Sequence, residues 1–256
     1  MATIVSVHSF RGGTGKSNTT ANLAAILAER GQRVGVIDAD IQSPGIHVIF
    51  GIAGDEITAS LNDFLWGSGT LSSVAQDVTE RQGVELAGRI FLIPSSMEPG
   101  QIARVLREGY DPQRLAEGLR QVVDALDLDT LLIDTHPGLN EETLLSLVIS
   151  HTLIVILRPD RQDYEGTGIT VRVARELQVP RIVLVVNKAP ESLGEQAVAD
   201  RVRDAYGSEV VAVIPHSEEL MSLASEGVFV LRYPDHPLRE LYARIADAVV
   251  PVGGRA

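Results

Sequence analysis

The chain has 256 residues, 45% of them apolar, with 34 Asp and Glu against 22 Lys and Arg and a formal charge of −12. At roughly 100–200 residues per domain it is long enough to bury a sizeable core, and the absence of cysteine excludes disulfides, thiolate metal ligation and thiol catalysis. The acidic balance argues against a protein that coats nucleic acid or anionic lipid over its whole surface.

In chain order, strands are expected at residues 3–9, 33–38, 90–94, 130–134, 152–157, 181–187 and 210–214. Several of these runs are apolar on successive residues, the pattern of a strand covered on both faces. Helical patterns fall between them at 16–30, 113–126, 141–149, 167–177, 195–206 and 238–249. Such alternation predicts an α/β fold, a doubly wound, mostly parallel sheet flanked by helices, with residues 1–256 as one domain. Residues 51–83 are the least regular, with five glycines, and are expected to form mobile loops around a short helix. The N-terminus lacks a basic segment ahead of its apolar run, and no stretch approaches ~18–20 uninterrupted apolar residues, so a cytoplasmic location is expected.

The strongest chemical signal follows the first strand: Phe10-Arg11-Gly12-Gly13-Thr14-Gly15-Lys16-Ser17. Glycines let backbone N–H groups curl around a polyphosphate, and the next helix begins there with its positive end toward the same anion. Lys16 supplies a point charge to β/γ-phosphates, and the Ser17 hydroxyl is placed to ligate Mg²⁺. The expected cradle is Gly12, Gly13, Thr14, Gly15, Lys16, Ser17 and Asn18. A plain glycine turn between strand and helix leaves Gly-Lys-Ser at the helix start unexplained. Phe10 stands where the strict G-x-x-x-x-G-K-[ST] pattern has its first glycine.

This loop resembles the deviant Walker A motif, K-G-G-x-G-K-[ST], of the MinD/ParA family of P-loop ATPases. The resemblance continues through Val34-Gly-Val-Ile-Asp38-Ala-Asp40, Leu61-Asn-Asp-Phe-Leu-Trp-Gly67, Leu131-Leu-Ile-Asp134-Thr-His-Pro-Gly138, Asn187-Lys188 and Val213-Ile-Pro215. It implies an ATPase using ATP and Mg²⁺ that closes as a nucleotide-sandwich homodimer and hydrolyses slowly. The resemblance also implies control of the position of a cellular cargo through a protein activator or adaptor. It assigns Asp134 and Asp38 to the metal shell with Ser17, and Asp40 to the attacking water. Arg11 occupies the place of the signature lysine that reaches the partner's phosphates, and its permanent charge suits a finger in trans. The catalytic candidates are therefore Lys16, Asp40 and Arg11. His136 stands where the family carries a small residue or Pro, and has no assigned role.

Asn187-Lys188 invites comparison with the N-K-x-D element of GTPases, but the fourth position is Pro190 and offers no carboxylate to a guanine edge. An Asn amide offers both hydrogen-bonding roles to adenine, so ATP is expected, with Pro215 flanking the base. Asn187 as a simple strand terminator is the alternative. The last helix has an apolar face at helical spacing, but its polar face mixes Arg239 and Arg244 with Glu240 and Asp247, so docking on the core is expected over membrane anchoring. The tail at 251–256 adds nothing amphipathic. Arg172, Arg175, Arg201 and Arg203 read as a solvated helical face rather than a DNA-binding patch. A nucleotide-binding scaffold with little hydrolysis is the alternative function. Cluster-assembly relatives use Cys pairs that this chain lacks.

Overall fold

The structure, a computed structural model, describes residues 2–250; the tail at 251–256 lies outside the described residues. The elements, in order, are β1 (Thr3–His8), α1 (Lys16–Glu29), β2 (Arg33–Ala39), α2 (Ile46–Ile49), α3 (Leu61–Leu65), α4 (Leu71–Val74) and β3 (Gln76–Asp77). The middle of the chain contributes β4 (Arg89–Ile93), α5 (Pro99–Glu108), α6 (Pro112–Ala125), β5 (Thr130–Thr135), α7 (Glu141–Ile149) and β6 (Thr152–Leu157). It closes with α8 (Arg161–Glu176), β7 (Arg181–Ala189), α9 (Glu195–Tyr206), β8 (Glu209–Pro215), α10 (Glu218–Ser222), α11 (Phe229–Arg232) and α12 (Leu238–Val249).

The eight strands form one sheet in the order β3-β4-β2-β5-β1-β6-β7-β8. Every pairing is parallel except β3 with β4. Period-2 geometry sends alternate side chains to opposite faces, and both faces are covered. Val5, Val34, Val36, Leu132, Ile154 and Val185 join the core beneath α1 and α12. Ile37, Leu131 and Ile133 pack against α3, α4 and α6, while Leu153, Val155, Leu184 and Val186 pack against α8 and α9. This is why the strands read as unbroken apolar runs. Helix α1 is enclosed almost all round, with Leu23, Ala24, Ala25, Leu27 and Ala28 at 0% exposure, because small alanines let it sit between the sheet and α12.

The fold class matches the expectation, and three local differences have physical causes. Residues 51–83 hold two short α-helices, two single-turn 3-10 helices and a strand rather than one helix among loops, and Leu61, Phe64 and Leu71 anchor the α-helices in the core. The cap that starts α3 is legible afterwards: Asp63 Oδ2 accepts from Ser60 N at 2.9 Å and Ser60 Oγ at 2.8 Å, a capping box. Helix α5 was not expected. Helix α8 begins six residues before the expected start, at Arg161, capped by Asp160, which accepts from Asp163 N at 3.0 Å.

Helix α12 docks as expected: Leu238, Leu241, Tyr242, Ile245 and Val249 are buried. Its polar residues close ion pairs with α1, Arg239–Glu29 and Asp247–Arg30, both at 2.8 Å. Two arginines of the DNA-patch candidates are engaged locally. Arg175 donates to Gly207 O at 3.1 Å and Ser208 Oγ at 3.0 Å, and Arg203 pairs with Asp200. Among the described residues, no helix is long and apolar enough to cross a membrane.

Candidate functional site

Strand order reverses around β1, which lies between β5 and β6, and in open α/β sheets ligands bind beyond the carboxyl ends of strands at such a point. The glycine loop occupies that place. Gly15 adopts φ +101°, a left-handed conformation that starts α1 without a side-chain cap, leaving the first-turn N–H groups directed outward. Lys16, the first helical residue, is 7% exposed. The loop forms one wall of a cleft of about 590 Å³ whose lining includes Gly12, Gly13, Gly15, Lys16, Ser17 and Asn18. Asp40, His136, Asn187, Lys188, Pro215 and His216 line other parts of the cleft. Thr14 is buried with its Oγ1 unpartnered. Pro215 lines the same cleft as the glycine loop.

The acidic residues lie deeper. Asp38 and Asp134 face each other in register across β2 and β5, and parity puts both on the face covered by α1. Asp134 is 1% exposed, and its Oδ1 has no partner. Burial pushes its carboxyl up to about 6, against the opposing pull of the Ser17 hydroxyl and the Lys16 ammonium. A buried carboxylate oxygen without a partner, beside a hydroxyl and an ammonium, is a donor set suited to a hydrated Mg²⁺. Asp38 is completely buried, and burial next to Asp134 and Asp40 pushes its carboxyl well above the usual carboxylate range. Its Oδ1 accepts from Asp40 N and its Oδ2 from Gly45 N, both at 3.1 Å. Asp38 therefore organises the loop after β2 as well as standing beside Asp134.

Asn187 does more than end a strand. Its Nδ2 donates to Thr14 O at 2.7 Å, and its Oδ1 accepts from Lys188 N at 2.8 Å. One amide hydrogen and one lone pair are left over from these two bonds. Lys188, at φ +56°, donates from Nζ to Gly13 O at 2.9 Å. Together they brace the glycine loop from the end of β7, a tie between residues more than 170 apart that sequence spacing does not reveal.

Arg11 is held within its own chain, with Nη1 3.4 Å from both Asp160 Oδ1 and Asp163 Oδ1. Asp163 is itself fixed by Arg158, which donates to it from N at 2.9 Å and from Nε at 3.1 Å. Phe10 packs over Gly166 of α8, where a Cβ would collide with its ring. That contact explains a glycine inside a helix and ties the start of the loop to the segment that holds Arg11. Gly166→Ala is expected to displace Phe10 and the loop, lowering affinity for an ATP analogue at least about tenfold while the helix itself gains propensity. Titration calorimetry checks this, and unchanged affinity would show that Phe10 does not seat the loop.

Sequence reasoning also missed His8. It is fully buried, burial drives its imidazole down to about 3, and Nδ1 lies 2.7 Å from Thr135 Oγ1.

Comparison with known proteins agrees with this geometry. A family model described as ParA, NUBPL iron-transfer P-loop NTPase, matches residues 1–250. An uncharacterized ATP-binding protein of Methanocaldococcus jannaschii is 27% identical over 251 residues, covering 98% of this chain and 88% of that protein. An iron–sulfur cluster carrier protein of Pseudomonas fragi is 29% identical over 255 residues, covering 95% and 83%. Among solved structures, the septum site-determining protein MinD of Pyrococcus horikoshii, complexed with Mg-ADP, superposes with a TM-score of 0.80 at 21% identity over 99% of this chain and 98% of that one. With the loop, the paired aspartates and the sheet order all in place, the chain belongs to the ParA/MinD-like family of P-loop NTPases.

Proposed function

We propose that the protein is a MinD/ParA-like ATPase. In this reading it binds ATP with Mg²⁺, closes as a nucleotide-sandwich homodimer and hydrolyses slowly. Its nucleotide state then switches a surface for a protein activator or cargo adaptor that positions a cellular apparatus of division, partition, flagellar or pilus type. The observation that carries the reading is the unpartnered Asp134 Oδ1, buried beneath the glycine loop beside Lys16 and Ser17. Gly12 to Asn18 offer N–H groups and one ammonium to the phosphates. Ser17 and Asp134 would hold the metal, with Asp38 beside them; bound Mg²⁺ supplies positive charge to the β/γ-phosphate oxygens. Asp40, at the cleft wall, accepts a hydrogen bond from the attacking water and orients it. Pro190, in place of a guanine-reading carboxylate, supports adenine as the base.

Iron–sulfur cluster carrier is the name borne by several relatives, those of Pseudomonas fragi and Aquifex aeolicus among them. This chain has no cysteine to ligate such a cluster through a thiolate. The second reading, a nucleotide-binding scaffold with little or no hydrolysis, is favoured by Arg11 standing on Asp160 and Asp163 of its own chain.

Turnover separates the two. The ATPase reading expects measurable phosphate release that Asp40→Ala lowers at least about 100-fold with analogue binding retained, and a doubling of mass by light scattering when Asp40→Ala is loaded with ATP. No turnover in the unmodified protein would favour the scaffold, and a monomer at high protein concentration for both chains would remove the dimer.

A further inference from the structure

His136 and Asp40 come from opposite sides of the site. Asp40 follows β2 and His136 follows β5, 96 residues apart, yet His136 Nδ1 lies 2.6 Å from Asp40 Oδ1. Both side chains are mostly shielded, at 19% and 15% exposure, and both line the cleft. An ionised carboxylate only accepts hydrogen bonds, so Nδ1 is the donor whichever form the ring takes.

The backbone that carries His136 is clamped on each side. Thr135 Oγ1 donates to Val7 O at 3.1 Å. Its single hydrogen is then used, so His8 Nδ1–H donates to Thr135 at 2.7 Å. Thr143 Oγ1 donates to His136 O at 3.2 Å, and Gly138 N donates to Ser9 O at 3.1 Å. The imidazole therefore projects from a fixed post. Asp40, by contrast, sits on a loop, where its Oδ1 accepts from Ser43 N at 3.1 Å as well as from His136. With two donors on Oδ1, the carboxylate plane is set. Its Oδ2 has no protein partner among the described residues and is the oxygen left for the cleft.

We propose that His136 is a positioning residue for hydrolysis: its Nδ1–H pins Asp40 Oδ1 so that Oδ2 is held toward the attacking water, tying the loop after β2 to the segment after β5. The inference rests on the reading that Asp40 handles the water. A carboxylate free to rotate spends much of its time out of line with the nucleophile, so the loss on removing the pin falls on kcat rather than on ATP binding. The pin also makes the two loops move as one: a displacement of the segment after Asp134 carries Asp40 with it.

Steady-state turnover, binding of a non-hydrolysable ATP analogue and thermal unfolding are measured for the full chain and for His136→Ala, His136→Asn, His136→Gln and Asp40→Ala. The expected result is a kcat lowered about tenfold to 100-fold in His136→Ala, with KM and analogue affinity within about threefold. His136→Asn sets an amide donor at the Nδ1 position and recovers kcat to within about threefold; His136→Gln, whose donor lies one methylene further out, does not. A kcat within about twofold of the unmodified protein in His136→Ala, with Asp40→Ala inactive, overturns the pin and leaves the role of Asp40 intact. Equal damage in Ala and Asn variants overturns it too, because the reaction then depends on Nε2. Loss of analogue binding alongside kcat would mark His136 as structural support only. Full turnover in Asp40→Ala, or none in the unmodified protein, overturns the underlying reading and the pin with it.

Discussion

Replacing Asp134 by Asn is expected to stabilise the nucleotide-free protein and, in the same molecule, to abolish its magnesium-dependent stabilisation by ATP. The carboxyl is held at about 6 by burial, above its ordinary value of 3.8. Folding therefore opposes its ionisation. Below pH 3.8 both folded and unfolded chains keep the proton and nothing is lost. As pH rises from there the unfolded chain ionises first, and stability falls until the folded carboxyl also ionises near 6. Above that pH the full penalty applies, roughly 3 kcal/mol, and an amide of the same shape avoids it. The variant's advantage in denaturant unfolding is expected to vanish near pH 4 and to reach on the order of 2–3 kcal/mol at pH 7.5. The functional loss has the same cause in the proposed reading, where the charge that is costly without a cation is the one that would retain Mg²⁺. With ligand at about 100 times Kd the unmodified protein gains about 2.7 kcal/mol; Asp134→Asn is expected to gain almost none. Equal stability of the two proteins at pH 7.5, or a retained magnesium-dependent shift, would contradict this account.

Gly15→Ala is expected to damage nucleotide binding and stability together. At φ +101° an L-residue is strained whatever the surrounding space. Here the space is also filled: the added Cβ meets Asn187 Nδ2, which cannot swing aside without releasing Thr14 O. The start of α1, the loop carbonyls and the brace from β7 all meet at this atom. Affinity for ATP analogue should fall at least about 100-fold, with a stability loss on the order of 1–3 kcal/mol. Adding Asn187→Ala relieves the collision but not the backbone strain. The double variant should recover part of the stability and little of the affinity. Calorimetric binding and thermal unfolding of the three variants test this, and near-normal affinity in Gly15→Ala would show that the loop tolerates another conformation.

The contrast between legible and illegible parts follows the range of the interactions. Strand positions are readable because a strand covered on both faces carries an unbroken apolar run, and β5 and β6, buried at every residue, carry such runs at residues 131–133 and 153–157. The start of α8 is hard to read because Gly166 has low helix propensity, and the Asp160 cap that begins the helix lies upstream of it. Gly166 is tolerated there because Phe10 needs the room, a contact over more than 150 residues that no local pattern encodes. Helix α5 is strongly amphipathic in sequence but only ten residues long, and it buries only Val105.

The same division runs through the site. Gly-Lys-Ser after an apolar strand and Asp at the end of two more carried the polyphosphate signal and the family resemblance, because those residue types act through backbone geometry and charge at fixed short spacings. Only the tertiary structure decided that Asp38 spends both oxygens on the loop after β2, that Asn187 and Lys188 brace the glycine loop, that Arg11 stands on Asp160 and Asp163, and that His136 reaches Asp40. Each of these is a hydrogen bond or ion pair between strand ends or loops brought together by sheet order. A chain read in one dimension holds the donors and acceptors but not the order in which its strands lie side by side.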